Sequence, residues 1–573
     1  MRVNDEVAAL LAEYADLTAI TGGDAFRIRV YERAARSVAG YPADLSALGA
    51  KGLRQIPNVG SSIAAKIEEY LSTGAIHQLE ALRAKVPAGV RRLTEIPTLG
   101  PKRAMLLYTE LGIDSVDGLA EAIAAERLAG LPGFGAKSEQ NLLRGIEVIR
   151  KARGRARLDV AMGLAEELTG LLAAVPGCQR CAYAGSLRRM KDTIGDIDIL
   201  AISDQPEALM AALTALPHVE RVVASGPTKT SVATTAGLQV DLRVVPPASW
   251  GAALQYFTGS RAHNIRTREI AVHAKLKLSE YGLFDVATGD TIVSATEEEV
   301  YERLGLPWIP PPLREDGGEI EAARRGELPV LVTEADLRGD LHTHTDLTDG
   351  TASLEQMVTA AAGRGHAYYA VTDHAPNLFM QRMTLEKMLA QREQVRALDG
   401  RHAGMRLLHG TELNIDPDGD VDWPPEILRD FDLCVASVHS AFTQPREAMT
   451  RRLIRAVRNP WVSILGHPSG RKIGKRPPVD ADWDAVFAAC ADCGTAVEID
   501  AFPDRLDACA EHVRMALRHG VRFAIDTDAH AIGHLGHLRY GIGTAQRGWL
   551  TAGDVINTWP FGQLTAFLRP GSR

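Results

Sequence analysis

Long apolar runs, cysteine and excess positive charge are all scarce in this chain of 573 residues. No apolar run reaches the roughly 18 to 20 residues that cross a bilayer, and Met1 to Asp24 lacks the basic, apolar and small-residue order of a signal peptide. Six cysteines are too few for a disulfide-framed secreted scaffold. A net charge of -8 excludes a uniformly basic chain but not a local basic face. We therefore expect a cytoplasmic protein without a membrane partner.

The six cysteines include two Cys-x-x-Cys pairs, Cys178 with Cys181 and Cys490 with Cys493. This spacing is typical of zinc half-sites. The pairs fall in regions predicted to belong to different domains, so we interpret them as free thiols of a reducing compartment. The length predicts several domains, because single hydrophobic cores rarely grow beyond about 300 residues.

The first candidate site is a β-rich run that carries two aspartates. Asp196 and Asp198 alternate with isoleucines in Gly185–Leu200 (GSLRRMKDTIGDIDIL), so both carboxylates share one face of a strand. A second run of this kind, 238–245 (LQVDLRVV), supplies Asp241. Three such carboxylates can hold two Mg²⁺ or Mn²⁺ ions about 4 Å apart, an arrangement that clamps the oxygens of a phosphoryl transfer. A solvated strand end is the alternative for an isolated Asp-x-Asp.

The residues just before these aspartates are suited to a triphosphate. Gly185 and Ser186 offer a turn and a hydroxyl, and Arg188 and Arg189 offer guanidinium forks that bind charged oxygens. Together with the two aspartate runs, the set resembles the nucleotidyltransferase palm of family X DNA polymerases.

The first 150 residues read as short amphipathic helices with an internal repeat. A hydrophobic residue, proline, any residue, a hydrophobic residue and glycine recur at 56–60, 96–100 and 131–135, each ahead of a helix. The glycines Gly60, Gly100 and Gly135 would let helix N-terminal N–H groups approach a phosphate closely. The repeat is similar to helix-hairpin-helix DNA-binding elements; ordinary helix packing corners are the alternative. A basic run follows: Arg144, Arg150, Lys151, Arg153, Arg155 and Arg157.

The family X resemblance implies further site residues. Lys66 falls where repair polymerases of the family carry the Schiff-base lysine of a deoxyribose-phosphate lyase, and Tyr31 matches the same region, although Ser62 replaces a phosphate-binding lysine. Carbonyls of Thr94, Ile96 and Leu99 would hold a monovalent cation, K⁺ or Na⁺, beside DNA.

The same resemblance extends beyond the palm into 250–268 (WGAALQYFTGSRAHNIRTR). It implies that this segment contacts the incoming nucleotide and the template through five residues: Tyr256, Phe257, Gly259, Asn264 and Arg268. An aromatic core pair at a helix end is the alternative. A proline cluster at 307–312 then closes this first module.

Histidine is concentrated after residue 339. Of 17 histidines, 13 lie between Asp340 and Arg573, where length alone would place about seven. Seven short apolar runs end in His, Asp or Glu, and most are followed by a helical segment, which predicts a β/α barrel with its site at the C-terminal rim of the strands. Nine residues would converge there: His342, His344, Asp349, His374, Glu412, His439, His467, Asp528 and His530.

Nine such ligands are enough for three divalent cations, with Glu412 placed to bridge two. Imidazole with carboxylate favours Zn²⁺, Mn²⁺ or Fe²⁺ over Ca²⁺. This part resembles the PHP domain of polymerases and histidinol phosphatases, which implies hydrolysis of phosphoesters with Mn²⁺ or Zn²⁺. Asp500 departs from the resemblance, because asparagine is more usual there.

The predicted fold is multidomain, α+β and α/β. We expect a helical lyase-like domain over 1–83, a second helical domain over 84–153, a palm over 154–247, a thumb over 248–315, a linker over 316–338, and a distorted seven-stranded, TIM-like PHP barrel over 339–573. The resemblance implies a monomeric gap-filling DNA polymerase that binds dNTPs and gapped or primer-template DNA, with a barrel that degrades 3′ ends. The alternatives are a DNA-end-binding scaffold with vestigial sites and a polymerase carrying a small-molecule phosphatase.

Overall fold

The computed structural model describes residues 3–41, 43–96, 99–152, 154–293, 295–378, 383–402 and 404–568. Along the chain they form a helical segment, a five-stranded sheet, a smaller antiparallel sheet with helices, and a seven-stranded parallel barrel. Among these residues, no helix is long and apolar enough to cross a bilayer.

The N-terminal segment is entirely helical. Its helices are α1 (Val3–Ile20), α2 (Ala25–Ala39), α3 (Ala50–Leu53), α4 (Ser61–Thr73), α5 (His77–Arg83), α6 (Ala88–Thr94), α7 (Pro101–Leu111), α8 (Val116–Ala124) and α9 (Ala136–Ala152). Asp24 is the N-cap of α2: its carboxylate accepts a hydrogen bond from the Arg27 N–H. Buried apolar side chains from Val7 to Ile146 form one core, so the two helical parts on either side of residue 83 pack as a single body.

The palm contains a five-stranded sheet of order β2-β4-β7-β6-β5. Its elements are β1 (Ala156–Arg157), α10 (Leu158–Ala173), β2 (Cys178–Tyr183), α11 (Gly185–Arg188), β3 (Thr193–Ile194), β4 (Asp196–Ser203), α12 (Pro206–Thr214), β5 (Val219–Ser225), β6 (Lys229–Thr234) and β7 (Gln239–Val244). Strands β4 and β7 are parallel neighbours, while the other pairs of this sheet are antiparallel. Alternate residues of β4 are buried against α10 and α12, which leaves the aspartates on the other face.

The thumb joins three helices to a small antiparallel sheet of order β10-β9-β8. Its elements are α13 (Trp250–Thr258), α14 (Arg261–His273), β8 (Leu276–Ser279), β9 (Gly282–Asp285), β10 (Thr291–Val293) and α15 (Glu297–Arg303). The segment predicted as a linker, 316–338, contains helix α16 (Glu319–Arg325). This helix is short and amphipathic: Ile320 and Ala323 pack in the thumb core, and the charged residues around them form its outer face.

The C-terminal domain is a parallel sheet in which seven strands follow chain order. The strands are β11 (Gly339–Asp340), β12 (Tyr368–Val371), β13 (Arg406–Asn414), β14 (Leu433–Ser437), β15 (Ile464–Leu465), β16 (Ala496–Asp500) and β17 (Phe523–Asp526). The helices are α17 (Leu354–Gly363), α18 (Leu385–Leu398), α19 (Pro425–Leu428), α20 (Arg446–Val457), α21 (Trp483–Cys493), α22 (Ala510–Arg518), α23 (Leu538–Arg547) and α24 (Phe561–Leu568). A parallel bridge between Thr343 and Ala529 nearly closes the barrel, as the repeated strand and helix pattern predicts.

The barrel packs on the palm and on the N-terminal helical segment. Leu506 is fully buried in the palm core, and Arg471 donates to Asp192 of the palm at 3.1 Å. On the helical side, a Cβ added to Gly40 would lie 2.5 Å from the Cβ of Ala531, so the end of α2 touches the barrel rim closely. The barrel rim therefore faces the N-terminal helices.

Candidate functional site

The three palm aspartates lie side by side on one face of the sheet. Asp198 of β4 and Asp241 of β7 are direct partners in the parallel register, and Asp196 lies two residues earlier on the same face of β4. Lys229 of β6 approaches Asp241, with its Nζ 3.3 Å from Oδ2. Gln239 donates to the other oxygen of Asp241 at 2.9 Å.

The carboxylates influence each other electrostatically. Burial first, and then the nearby charges of Asp196 and Asp241, raise the pKa of Asp198 to about 7. Burial also acts to raise the pKa of Asp241, but hydrogen bonds from Ser231, Gln239 and Lys229 outweigh it and lower that pKa. A crowded carboxylate with a raised pKa is the donor chemistry that a divalent cation stabilises. The palm aspartates therefore fit the two divalent cations implied by the family resemblance.

The turn before β4 is built closely against these aspartates. Gly185 has φ +65°, and a Cβ there would lie 2.5 Å from Oδ2 of Asp198, so both the backbone and the space require glycine. Ser186 follows it in α11, half-buried.

The two arginines after this turn are held by the thumb. Arg188 donates to both carboxylate oxygens of Glu297, at 2.9 and 2.8 Å, so it serves the palm–thumb contact and not the triphosphate expected from the sequence. Arg189 donates to Glu315 at 2.9 Å and to the carbonyl of Thr258. Phosphate binding by Arg189 would require exchange of Glu315.

The five predicted thumb residues lie at and after the end of α13. Tyr256 and Phe257 meet edge to face at 5.1 Å, and Arg243 of the palm lies 4.6 Å over the Phe257 ring, a contact that the sequence pattern did not indicate. Gly259 has φ +68° and faces Arg189. Asn264 is buried and Arg268 is exposed.

Two of these thumb residues border open space. Tyr256 and Arg268 line the same cavity of about 810 Å³, whereas the amide of Asn264 is already bonded to Gln255 and to the Tyr256 carbonyl. Asn264 is therefore not free to contact a base in this conformation.

The three glycine hairpins share one turn. The N–H groups of Val59, Leu99 and Phe134 each donate to the carbonyl three residues earlier, at 3.1, 3.0 and 3.1 Å. A helix follows each time: Gly60 and Gly100 are the N-caps of α4 and α7, and Gly135 directly precedes α9. All three glycines are exposed, and a Cβ on any of them would meet nothing within 4 Å.

Some predicted residues of the helical segment cannot be placed. Pro97 and Thr98 of the second hairpin, Arg153 of the basic run, and the side chains of Lys137 and Lys151 lie outside the described residues. Within the run, Arg150 and Arg157 are paired with Asp117 and Asp159. The backbones of Thr94, Ile96 and Leu99 are described, and the Ile96 carbonyl accepts the turn hydrogen bond.

Lys66 of α4 is buried beside two tyrosines. Its Nζ lies 5.7 Å from the ring centroids of both Tyr14 and Tyr31, which stack at 4.2 Å. It donates to the hydroxyl of Ser62 at 3.3 Å. The side chain is 7% exposed, unlike the solvated lysine that an exposed helix face would present. Tyr14 was not found from the sequence, because it belongs to a different helix.

All nine rim residues of the barrel converge. They follow or end the strands β11, β12, β13, β14, β15 and β17. Glu412 is central: its oxygens lie within 3.6 Å of five imidazoles, those of His342, His344, His374, His439 and His467. Asp528 lies 3.1 Å from His344, and Asp349 lies 3.2 Å from His530.

Three compact ligand groups result. Their ligand atoms lie within 4.8 Å of one another: His344, Asp349, His374 and His530; His342, His344 and Asp528; His374, Glu412 and His439. Among the described residues, the groups that meet this limit are all in the barrel, and none includes a cysteine.

The donor atoms of these groups fit cations. Within the described part of the chain, several are buried without a hydrogen-bond partner, including Nε2 of His342, Nε2 of His344, Oδ1 of Asp349 and Oε2 of Glu412. Buried polar atoms without partners are costly unless a ligand satisfies them. Burial and Arg505 lower the pKa of His467 to about 3, so its ring is neutral at pH 7, the form that binds metals.

Further residues hold this set in place. Glu498, Asn414 and Arg505 among them were not identified from the sequence. Glu498 at the end of β16 accepts from Nδ1 of His342 at 2.6 Å and from the His467 N–H. Asn414 bonds Nδ1 of His439 at 2.6 Å. Arg505 lies 3.3 Å from Asp500 and 3.7 Å from Asp528. Asp500, unusual by the family resemblance, is thus compensated by an arginine. Of these residues, the sequence indicated Asp500 alone.

Comparisons with known proteins agree with this architecture. Family models match as "Helix-hairpin-helix domain" over 2–76, "SAM-like Helix-hairpin-helix tandem" over 90–147, "DNA polymerase beta thumb" over 253–315 and "PHP domain" over 340–473. The chain is 34% identical over 98% of its length, and 99% of the relative's, to "DNA polymerase/3'-5' exonuclease PolX" of Bacillus subtilis (strain 168).

Other relatives match a smaller share of the chain. A probable phosphatase of Thermoanaerobacter sp. (strain X514) is 28% identical over 41% of this chain and 95% of its own length. A probable phosphatase of Acetivibrio thermocellus is 30% identical over 33% of this chain and 78% of its own length. The full-length similarity, the thumb match and the barrel match together show that this chain belongs to the family X DNA polymerases that carry a C-terminal PHP domain.

Proposed function

We propose that this chain is a DNA-directed DNA polymerase with a 3′–5′ exonuclease in the same molecule. One observation carries the proposal: two separate sets of cation-binding side chains, the palm aspartates and the nine rim residues, stand in a chain similar over nearly its whole length to a protein named for both activities. The vestigial-scaffold alternative is disfavoured because neither set lacks a member.

The palm is proposed to join nucleotides. Two divalent cations, Mg²⁺ or Mn²⁺, held by Asp196, Asp198 and Asp241 would lower the pKa of the primer 3′-hydroxyl and neutralise the triphosphate. Asp241, kept ionised by its hydrogen bonds, is placed to receive the hydroxyl proton. Gly185 and Ser186 present a narrow turn to the phosphates, which Arg189 reaches once Glu315 releases it.

The thumb and the helical segment are proposed to hold the nucleotide and DNA. Tyr256, Phe257 and Gly259 would lie against the dNTP sugar and Arg268 beside the template. Asn264 would reach the base once its amide exchanges its bonds to Gln255 and the Tyr256 carbonyl. The open N-termini after Gly60, Gly100 and Gly135 would bind phosphates without reading sequence, because nothing in the protein fills the space in front of them. Carbonyls of Thr94, Ile96 and Leu99 would hold K⁺ or Na⁺ in the second hairpin.

Gap filling separates this function from general synthesis. On a primer with a short gap and a 5′-phosphate, we expect extension at least about tenfold faster than on an open primer-template, since the hairpins can bind phosphates on the 5′ side of the gap. Equal rates on the two substrates would contradict a gap-filling role.

We propose that the enzyme acts as a monomer.

The barrel is proposed to remove nucleotides from 3′ ends with up to three ions, Mn²⁺ or Zn²⁺. When bound, such ions activate water and neutralise phosphate charge. Glu412 belongs to one ligand group, and its Oε2 lies 3.5 and 3.6 Å from His342 and His344 of another, so it would be shared by neighbouring ions. Glu498 and Asn414 orient His342 and His439 through hydrogen bonds. Release of nucleoside monophosphates from a 3′-labelled duplex with Mn²⁺ tests this role. Activity confined to phosphomonoesters would favour the alternative of a small-molecule phosphatase; two partial relatives are named as probable phosphatases.

A lyase is a second candidate function, favoured by the surroundings of Lys66. Its amine lies beside two aromatic rings and the Ser62 hydroxyl, and a lysine amine at such a site can attack an aldehyde to form a Schiff base. We propose that Lys66 forms a Schiff base with the sugar of an abasic 5′ end. Borohydride should trap the protein on such DNA, and trapping by Lys66→Arg at the wild-type level would exclude this role.

A further inference from the structure

A cavity of about 350 Å³ lies between the helical segment and the barrel. One of its walls is helix α2, which contributes Arg29, Arg33 and Arg36 together with Glu32. The opposite wall is the barrel loop that carries Asp346 and Asp349. Because Asp349 belongs to one of the three compact ligand groups, the cavity reaches the proposed metal centre.

The three arginines form one row on α2. Positions 29, 33 and 36 are separated by four and three residues, so their side chains lie on the same face of the helix. The row covers about 10 Å along the helix axis, a length over which one strand of a duplex carries about three phosphates. Within the part of the chain that the structure describes, none of the three guanidiniums forms an ion pair. Their charge is therefore available to a ligand.

The row continues toward the first hairpin. Arg33 also lines a second depression, together with Asn58 and Gly60 of the hairpin and Phe26 at the start of α2. The Phe26 ring is 64% exposed, high for a large apolar side chain. An exposed aromatic ring beside a row of cations is the composition of surfaces that bind single-stranded nucleic acids, since bases stack while phosphates are neutralised.

We propose that this face of α2 binds the single-stranded 3′ end that is degraded in the barrel. Arg29, Arg33 and Arg36 bind successive phosphates, Phe26 stacks on a base, and the strand runs from the first hairpin toward Asp349. The helical segment is then a functional wall of the barrel site and not only a grip for the polymerase substrate. This inference rests on the proposed nuclease function.

The geometry also defines the competing explanation. The opposite wall is acidic, so the arginines could instead attract the barrel loop and keep the two parts together. In that case their loss would disturb Asp349 and reduce hydrolysis of every substrate. If the row binds the strand, its loss affects only substrates long enough to reach it.

The test compares two triple variants that remove the same charge. One is Arg29→Gln, Arg33→Gln, Arg36→Gln; the control is Arg396→Gln, Arg429→Gln, Arg458→Gln, all on the barrel surface and none lining the cavity. With Mn²⁺, we expect the first variant to raise KM for a 3′-labelled single strand at least about tenfold. Its kcat/KM for the small substrate bis(p-nitrophenyl) phosphate should stay close to the wild-type value. The salt dependence of kcat/KM on DNA should weaken by about two units of slope, as loss of three phosphate contacts requires. The control should match wild type.

A crosslinking readout does not depend on turnover. An oligonucleotide with 4-thiothymidine four nucleotides from its 3′ end should crosslink to the peptide that contains Phe26, and Phe26→Leu should lower the yield severalfold. Equal loss on both hydrolysis substrates, an unchanged KM, or crosslinks confined to other helices would overturn the inference while leaving the nuclease intact. A wild-type protein that releases no nucleotides would refute the nuclease itself.

Discussion

Gly185 tolerates little change, because both its backbone and its surroundings require glycine. An added Cβ would lie 2.5 Å from Oδ2 of Asp198, and φ is +65°. Gly185→Ala should therefore cost about 1 kcal/mol of stability through the left-handed backbone and displace Asp198 as well. Because a shift of about 1 Å in a catalytic group can cost about a hundredfold, we expect primer extension to fall at least tenfold.

Gly237 provides the matched control for this substitution. It has φ +76° in the turn between β6 and β7, and a Cβ there meets nothing within 4 Å. Gly237→Ala should show the same backbone cost in thermal unfolding but keep the wild-type extension rate. Equal extension rates for the two alanine variants would contradict the proposed role of the close contact with Asp198.

At the residue scale, the sequence indicated which side chains would lie together at the barrel rim but not which residues support them. The nine rim residues end or follow parallel strands, so strand periodicity brings them to one edge without further knowledge. Arg505 and Lys229 were missed because they reach Asp528 and Asp241 across space, from segments without any periodic signal. Arg188 was assigned to phosphate because a guanidinium's partner cannot be read from its neighbours in the chain.

At the element scale, helix α15 is joined to the palm through a buried carboxylate. Glu297 accepts from Arg188 of α11 and from Arg314 at 2.6 Å, and Trp308 donates to it at 3.2 Å. Burial alone would raise the pKa of Glu297, but Arg314 and Arg188 outweigh it and lower that pKa to about 2. The ion pairs therefore contribute stability above about pH 4.5, which is lost as the pH falls toward 2.

Glu297→Gln should destabilise the protein by about 3 kcal/mol at pH 7, since it leaves Arg314 buried without a counter-charge. The difference from wild type should shrink as the pH falls from about 4.5 toward 2, when the wild-type carboxylate is itself protonated. Urea unfolding at several pH values measures this. Glu302→Gln, exposed on the same helix, is the control. A difference independent of pH would contradict the assignment.

The hairpin helices yield a prediction in which folding and binding separate. Gly100 has φ -70° and open space at its Cβ position, so Gly100→Ala should leave the melting temperature unchanged or slightly higher. Binding of gapped DNA should weaken about tenfold, because a methyl group then stands where a phosphate would approach the α7 N-terminus. Gly49→Ala, at the N-cap of α3 with equally open space, should leave DNA binding unchanged.

Element prediction succeeded where the apolar pattern was repeated and failed where it was short. The hairpins and the barrel strands recur several times, so each copy supports the others. Helix α16 has only seven residues, and its many charged residues are typical of a linker. In the structure, however, Ile320 packs in the thumb core.

At the scale of the whole molecule, the parts are held by contacts that no local pattern announces. Leu506 of the barrel enters the palm core, and Arg547 of α23 donates to Glu315 at 3.0 Å, the same carboxylate that holds Arg189. The placement of the barrel rim against α2 likewise arises from surfaces distant in the chain. The two proposed centres thus belong to one connected body, although each has its own ligands.

The central claim is that nucleotide addition and removal are performed by separate sets of side chains. It is tested most directly by assaying Asp198→Ala and His344→Ala on one labelled primer-template, with dNTPs to follow extension and without them, in Mn²⁺, to follow degradation. We expect Asp198→Ala to lose extension by at least about a thousandfold and keep degradation, and His344→Ala to show the reverse. If both variants extend and degrade as wild type does, or if either loses both activities while remaining folded, the account of two independent centres is wrong.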